Sequence, residues 1–240
     1  RKSCKRLCDE SGKWDWTNSG EPDGAGNGVI MKIAPLGLWG SVTKEDVSEF
    51  IKMCIEYARM THLATPAIVA GVVHAVAIAI LAAREDRNIH VNTFLFFLKD
   101  LAEILESKLP PWNDKISSQI ENIMNYIHCG SSGKLGEQTV EKIAPLYGGG
   151  TSYAYNSFGL SYAIFARSAL NTDNPEPFNA VFDAVNAGGD TDTNASIVGS
   201  LVGAFHGMKA IPEKLVSELE DKNEIRQRTE EFYKACIARA

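Results

Sequence analysis

Apolar residues recur along this chain at helical spacing from about residue 43 onward. Val47, Phe50, Ile51, Cys54, Ile55 and Ala58 fall on one face, which predicts an amphipathic helix over 43–60. Thr43 reads as its N-cap, with acidic Glu45 and Asp46 in the first turn. Thr65-Pro66 opens the next helix, with proline at the first helical position, where its missing N–H costs no bond. Ala67 to Ala83 is apolar apart from His74 and runs into Arg84-Glu85-Asp86-Arg87, so it reads as a helix buried on most faces. Phe94, Phe97, Leu98, Leu101 and Leu105 mark a helix over 92–107, and Pro110-Pro111 breaks it. Ile116, Ile120, Ile123 and Ile127 mark another from Asp114 to Tyr126 or His128. Thr139 to Leu146 is weaker, Gly148-Gly149-Gly150 is a break, and helices follow from Ser152 to Ala169, Pro175 to Ala187 and 192 to 207. One or two closing helices lie beyond Pro212, ending in a charged segment from Asp221 to Arg239. Upstream, residues 1–28 are rich in Gly, Asp, Asn and Trp and read as loop with at most one short helix. Val29 to Ile33 is a short apolar run stopped by Pro35 and Gly37. No run of period-two strands and no repeat period emerges, and the linkers are short. The pattern therefore predicts an all-α fold in a single domain, 1–240.

Composition narrows the function classes a little. The chain has 240 residues, 45% of them apolar and 22% charged, which is globular composition. A net charge of −6 argues against a general nucleic-acid surface, which needs a Lys/Arg surplus. The five cysteines, Cys4, Cys8, Cys54, Cys129 and Cys236, have no zinc-site spacing and read as free thiols in a reducing cytosol, so the expected localisation is cytoplasmic. Arg1 to Asp9 is polar and basic with no apolar core behind it, and no membrane span or signal peptide is expected.

The sharpest chemical feature is Asn186-Ala187-Gly188-Gly189-Asp190-Thr191-Asp192-Thr193, opening into Asn194-Ala195-Ser196-Ile197-Val198. Two carboxylates two residues apart, with hydroxyls beside them, offer the oxygen ligands that a hard divalent cation such as Mg²⁺ takes. Gly188 and Gly189 allow a backbone path that turns both carboxylates inward. The same residue types also cap helices, and spacing leaves capping and metal binding both open. The helix behind carries Ala195, Gly199, Gly203 and Gly207 in one register, which predicts close approach of a neighbouring helix.

Two further stretches carry weaker signals. Asp23 to Gly37 contains the Gly-rich Gly24-Ala25-Gly26-Asn27-Gly28, whose backbone N–H groups could cradle phosphate, or which could be a surface turn. Thr61-His62-Leu63-Ala64-Thr65-Pro66 lies between two helices, where His62 could hydrogen-bond a ribose, a phosphate or a leaving group, or act as a surface residue.

Taken in order, these stretches resemble the ADP-ribosylglycohydrolase family, which includes the dinitrogenase reductase-activating glycohydrolases. The resemblance runs from Gly24 onward, on Gly26-Asn27-Gly28-Val29-Ile30-Met31-Lys32-Ile33-Ala34-Pro35-Leu36, Thr61-His62 and Gly188-Gly189-Asp190-Thr191-Asp192-Thr193. The small-residue helix ending Gly203-Ala204-Phe205-His206-Gly207 belongs to it, and Tyr155-Asn156-Ser157 and Ala180 to Asn186 fit its spacing. It implies an orthogonal helical bundle with two Mg²⁺ or Mn²⁺ ions in a central cleft. It also implies hydrolysis of the glycosidic bond joining ADP-ribose to an arginine, a serine or a small molecule. Asp190, Asp192 and Thr193 match metal ligands, with Asp190 and Asp192 catalytic. Gly26, Asn27 and Gly28 match the substrate-binding loop, and His62 matches a histidine at the ribose end.

The implied partners are an ADP-ribosylated protein or a small-molecule ADP-ribose conjugate. The family's first metal motif, a Thr-Asp-Asp-Thr-like segment upstream of the Gly-rich loop, and a Gly-Asp-Ala-Leu-Gly-like segment before it have no match in these 240 residues. Either that part lies outside the given residues and activity is expected, or half the metal shell is missing, and the alternative to a hydrolase is a non-catalytic member that keeps the ADP-ribose cleft. A third reading is a structural all-α protein in which Asp190 and Asp192 cap a helix.

Overall fold

A computed structural model describes residues 5–6, 8, 11, 13, 15, 17–43, 46–85, 89–128, 135, 138–170 and 176–238. Of the residues named above, Arg1, Cys4, Asp9, Glu45, Asp86, Arg87, Cys129, Pro175 and Arg239 lie outside them. The described residues form an all-α architecture whose only β pairing is two isolated bridges, Glu21 with His62 and Gly26 with Tyr153. In chain order the α-helices are α1 Ala34–Val42, α2 Val47–Arg59, α3 Thr65–Ala82, α4 Val91–Lys108, α5 Ile116–His128 and α6 Val140–Ile143. They continue as α7 Ala154–Leu170, α8 Asn179–Asn186, α9 Thr191–His206, α10 Glu213–Glu218 and α11 Lys222–Ile237. Short 3₁₀ turns at Ala144–Gly150 and Met208–Ala210 precede α7 and α10.

Helix α3 is the axis of the bundle, packed against α1, α2, α4, α5, α7 and α9. It is long and apolar enough to cross a membrane by composition, and 83% of it is buried by its neighbours. An apolar helix surrounded on all sides has no need of a polar face, so its sequence shows no amphipathic stripe. Its one polar residue beyond the first turn, His74, is fully buried between Tyr162 of α7 (Nδ1 to the hydroxyl, 3.1 Å) and Ser200 of α9 (Nε2 to Oγ, 2.9 Å). Burial pushes the His74 pKa down to about 3, so it is a neutral ring joining three helices.

Three local expectations change. Pro35 and Gly37 do not stop the chain: Pro35 lies in the first turn of α1, and Gly37 packs where a Cβ would meet the Ala75 carbonyl at 2.5 Å. Proline punctuates a helix start as readily as an end. Thr43 is the C-cap of α1, not the N-cap of the next helix. That cap is Asp46, whose carboxylate accepts from the Ser48 N–H at 2.8 Å. The glycines of α9 do not mark a tight crossing either. A Cβ on Gly199 would make an ordinary 3.8 Å contact with Val181, one on Gly203 would meet nothing within 4 Å, and Gly207 ends the helix at φ 72°. Cys8 and Cys54 are free thiols, and burial pushes the Cys54 thiol up to about 12.

Candidate functional site

The turn before α9 is shaped by four glycines at positive φ. Gly149 (68°), Gly150 (61°), Gly188 (78°) and Gly189 (72°) carry the two loops past each other. A Cβ on Gly189 would lie 2.1 Å from the Gly149 carbonyl oxygen and 2.7 Å from that of Gly150, so only glycine lets them stack. The crossing is closed by the Asp190 N–H donating to the Gly150 carbonyl at 3.0 Å.

Asp190 is the N-cap of α9 by position, yet its carboxylate makes no capping bond to the helix N–H groups. Its Oδ2 instead accepts from the side-chain amide of Asn27, at 2.7 Å, in the Gly-rich loop. The capping reading therefore does not account for this carboxylate. The Asn27 amide is the largest cause holding the Asp190 carboxyl below the usual carboxylate range, with Asp192 and Thr193 adding to it. Asp192 is exposed on the same turn, and Thr193 is buried with its hydroxyl 3.7 Å from Met31 Sδ. The Ser196 hydroxyl also donates to the Met31 carbonyl at 3.4 Å, tying the loop to α9 a second time.

The Gly-rich loop is fixed by backbone bonds from the other side. The Asn27 N–H donates to the Ser152 carbonyl at 2.9 Å, and the Ala154 N–H to the Ala25 carbonyl at 2.9 Å. His62 lies against the same loop. A Cβ on Gly28 would sit 3.0 Å from its Cε1, and one on Gly26 would sit 3.6 Å from its Nε2. Its Nδ1 is 2.8 Å from the Thr61 hydroxyl, and the strand-like bridge to Glu21 holds its backbone. Burial first, and then the Lys32 charge, lower the His62 pKa, so the ring is neutral at pH 7. Tyr153 borders Gly26, with its hydroxyl accepting from the Trp112 indole (3.1 Å) and donating to Asp114 (2.8 Å).

Gly26, Asn27, Gly28, His62, Asp190, Asp192 and Thr193 are thus drawn together from three separated stretches. Asn27 is 6% exposed and spends its amide on protein groups, so it holds the loop and Asp190 more than it faces solvent.

A family model described as ADP-ribosylglycohydrolase matches residues 1–240. The chain belongs to the ADP-ribosylglycohydrolase family. ADP-ribosylhydrolase ARH3 of Bos taurus is 28% identical over 208 residues, covering 83% of this chain and 54% of its own length. The human ADP-ribosylhydrolase ARH3 is 25% identical over 211 residues, at 83% and 55%. An uncharacterized Escherichia coli K12 protein, YegU, is 27% identical over 206 residues, at 85% and 57%. The chain spans about half the length of these curated relatives. A solved structure of an ADP-ribosylglycohydrolase-related protein complex shares the fold, with TM-score 0.65 and 23% identity over 100% of this chain and 68% of that one.

The start of α9 carries two carboxylates and a hydroxyl, all oxygen groups of the type a hard divalent cation takes. Among the described residues no group of three or more His, Cys, Asp or Glu side chains is placed to hold a metal. Sequence reasoning gave no role to Ser157 and Asn194, both fully buried beside Asn27. The signal was there for Asn194: it shares the buried face of α9 with Ile197, Val198, Leu201 and Phe205, where a polar residue needs a partner.

Proposed function

We propose that this chain carries the substrate loop and one set of metal ligands of a glycosidase that hydrolyses the bond between ADP-ribose and an arginine, serine or small-molecule acceptor. The observation that carries the reading is the Asn27–Asp190 bond, which takes the carboxylate away from helix capping and joins the Gly-rich loop to the acidic turn. Asp190, Asp192 and Thr193 would hold Mg²⁺ or Mn²⁺, with two ions per site, water and substrate oxygens filling the remaining positions. When bound, such ions stabilise negative charge on ribose and water oxygens as the glycosidic bond breaks. The reaction passes through an oxocarbenium-like state.

The chain's own residues do the positioning. Asn27 fixes one oxygen of Asp190. Gly28 keeps the loop low enough for the His62 ring to lie close on it. The neutral His62 ring, anchored through Nδ1, offers Nε2 to a ribose or phosphate oxygen and shields that edge from water. The partners are ADP-ribosylated proteins or small ADP-ribose conjugates, and the compartment is the cytoplasm.

The test is release of ADP-ribose from an ADP-ribosyl-arginine protein and from an ADP-ribosyl-serine peptide, in Mg²⁺ and in EDTA. Metal-dependent release from either supports the hydrolase and names the acceptor. A second reading, a non-catalytic ADP-ribose binder, is favoured by the absence of a three-residue metal group among the described residues. It predicts ADP-ribose binding without release, and at most one ion per chain.

A further inference from the structure

Behind Asp190 the polar side chains form a closed ring whose hydrogen-bond direction is dictated by two groups that only accept, the Gly150 carbonyl and the Asp190 carboxylate. The Gly150 carbonyl can only accept, so the Asn194 amide must present Nδ2 to it, at 2.7 Å. Asn194 Oδ1 then faces Ser157 and accepts the hydroxyl proton, at 2.6 Å. A hydroxyl that donates to Asn194 keeps its lone pairs for Asn27, whose Nδ2 donates to it at 3.2 Å. The second hydrogen of the same Asn27 amide reaches Asp190 Oδ2 at 2.7 Å. The Asp190 N–H returns to the Gly150 carbonyl, and the Asn194 N–H to the Asp190 carbonyl at 2.9 Å. Each link has one permitted polarity, so the chain cannot flip piecemeal without setting an acceptor against an acceptor or a donor against a donor.

We propose that Ser157 and Asn194 are positioning residues for the cation-binding turn. They anchor the Asn27 amide from behind, and so hold Asp190 Oδ2 in one place at the start of α9. Neither touches the ligand position, since both are fully buried. The proposal rests on the functional reading above. Outer partners of this kind change metal affinity by about 10–100-fold when removed.

Ser161 supplies an internal control. It lies one turn further along α7, is equally buried, and its hydroxyl has no hydrogen-bond partner among the described residues. Ser161→Ala and Ser157→Ala delete the same atom from the same helix, but only the second cuts the ring.

The experiment is Mn²⁺ binding by titration calorimetry, with melting temperatures in EDTA read alongside. The wild type is measured first, and Mn²⁺ binding there is expected. Its absence would overturn the functional reading, and this proposal with it, before any variant is made. Given binding, Ser157→Ala is expected to raise the Mn²⁺ Kd by about 10–100-fold. Ser157→Cys, a weaker donor of similar size, is expected to fall between, and Ser161→Ala to bind as wild type. Wild-type affinity in Ser157→Ala, or equal losses in Ser157→Ala and Ser161→Ala, would overturn the positioning role and leave the metal site standing.

Discussion

Gly188 and Gly189 sit side by side at nearly the same positive φ, yet the structure gives them different tolerances, and that difference is measurable. Alanine at Gly188 has open space around its Cβ and incurs only the left-handed backbone cost, about 1–2 kcal/mol. Alanine at Gly189 incurs the same cost and also puts its Cβ 2.1 Å from the Gly149 carbonyl oxygen. Neither atom belongs to a flexible side chain, so the Gly149–Gly150 segment must move. That segment accepts the Asp190 N–H and the Asn194 amide, two bonds each worth about 0.5–1.5 kcal/mol net. Gly189→Ala should therefore lose about 2–5 kcal/mol in all. At roughly 2–4 °C per kcal/mol for a chain of this size, Gly188→Ala should melt about 2–8 °C below wild type, and Gly189→Ala about 4–20 °C below. Urea unfolding of both variants, with melting temperatures read with and without Mg²⁺, measures this. Gly188→Ala should keep any Mg²⁺-induced rise and Gly189→Ala should lose it. Equal stability losses in the two variants would refute the claim that the loops are in backbone contact.

Other outcomes follow from the same geometry. Saturating Mg²⁺ should raise the wild-type melting temperature, and the rise should vanish in Asp190→Asn and Asp192→Asn. An unchanged rise in both would remove these residues from the site. His74 has a pKa near 3 when folded against 6.5 when free, so the unfolded chain binds the extra proton between those values and stability falls with the pH. The loss from this one group should be on the order of 4 kcal/mol between pH 6.5 and 3. His74→Gln should flatten that part of the stability–pH curve in urea titrations, and a slope matching wild type would assign it elsewhere. Lys32→Met should raise the His62 pKa by removing the nearby positive charge, read from the ring Cε1 proton by NMR, and an unmoved midpoint would exclude the Lys32 charge as a cause.

The sequence alone determined the helices from Val47 onward and the residue types of the acidic turn. Helical periodicity is a property of neighbours three and four residues apart, so the amphipathic face of Phe50, Cys54 and Ala58 could be read without the fold. The buried α3 was legible because a helix surrounded on every side needs no polar face. Boundaries were less secure: Pro35 fits a helix start or stop equally well, and Thr43 and Asp46 are both good caps. Gly188, Gly189, Asp190 and Asp192 were visible as a flexed, oxygen-rich turn, but whether the carboxylate capped a helix was not. The tertiary structure decided that point. The competing partner is Asn27, 163 positions away, and the ring through Ser157 and Asn194 closes only when α7 and α9 lie side by side. Donor direction in that ring is set by two groups that can only accept, the Gly150 carbonyl and the Asp190 carboxylate, and only the fold brings them to the same ring.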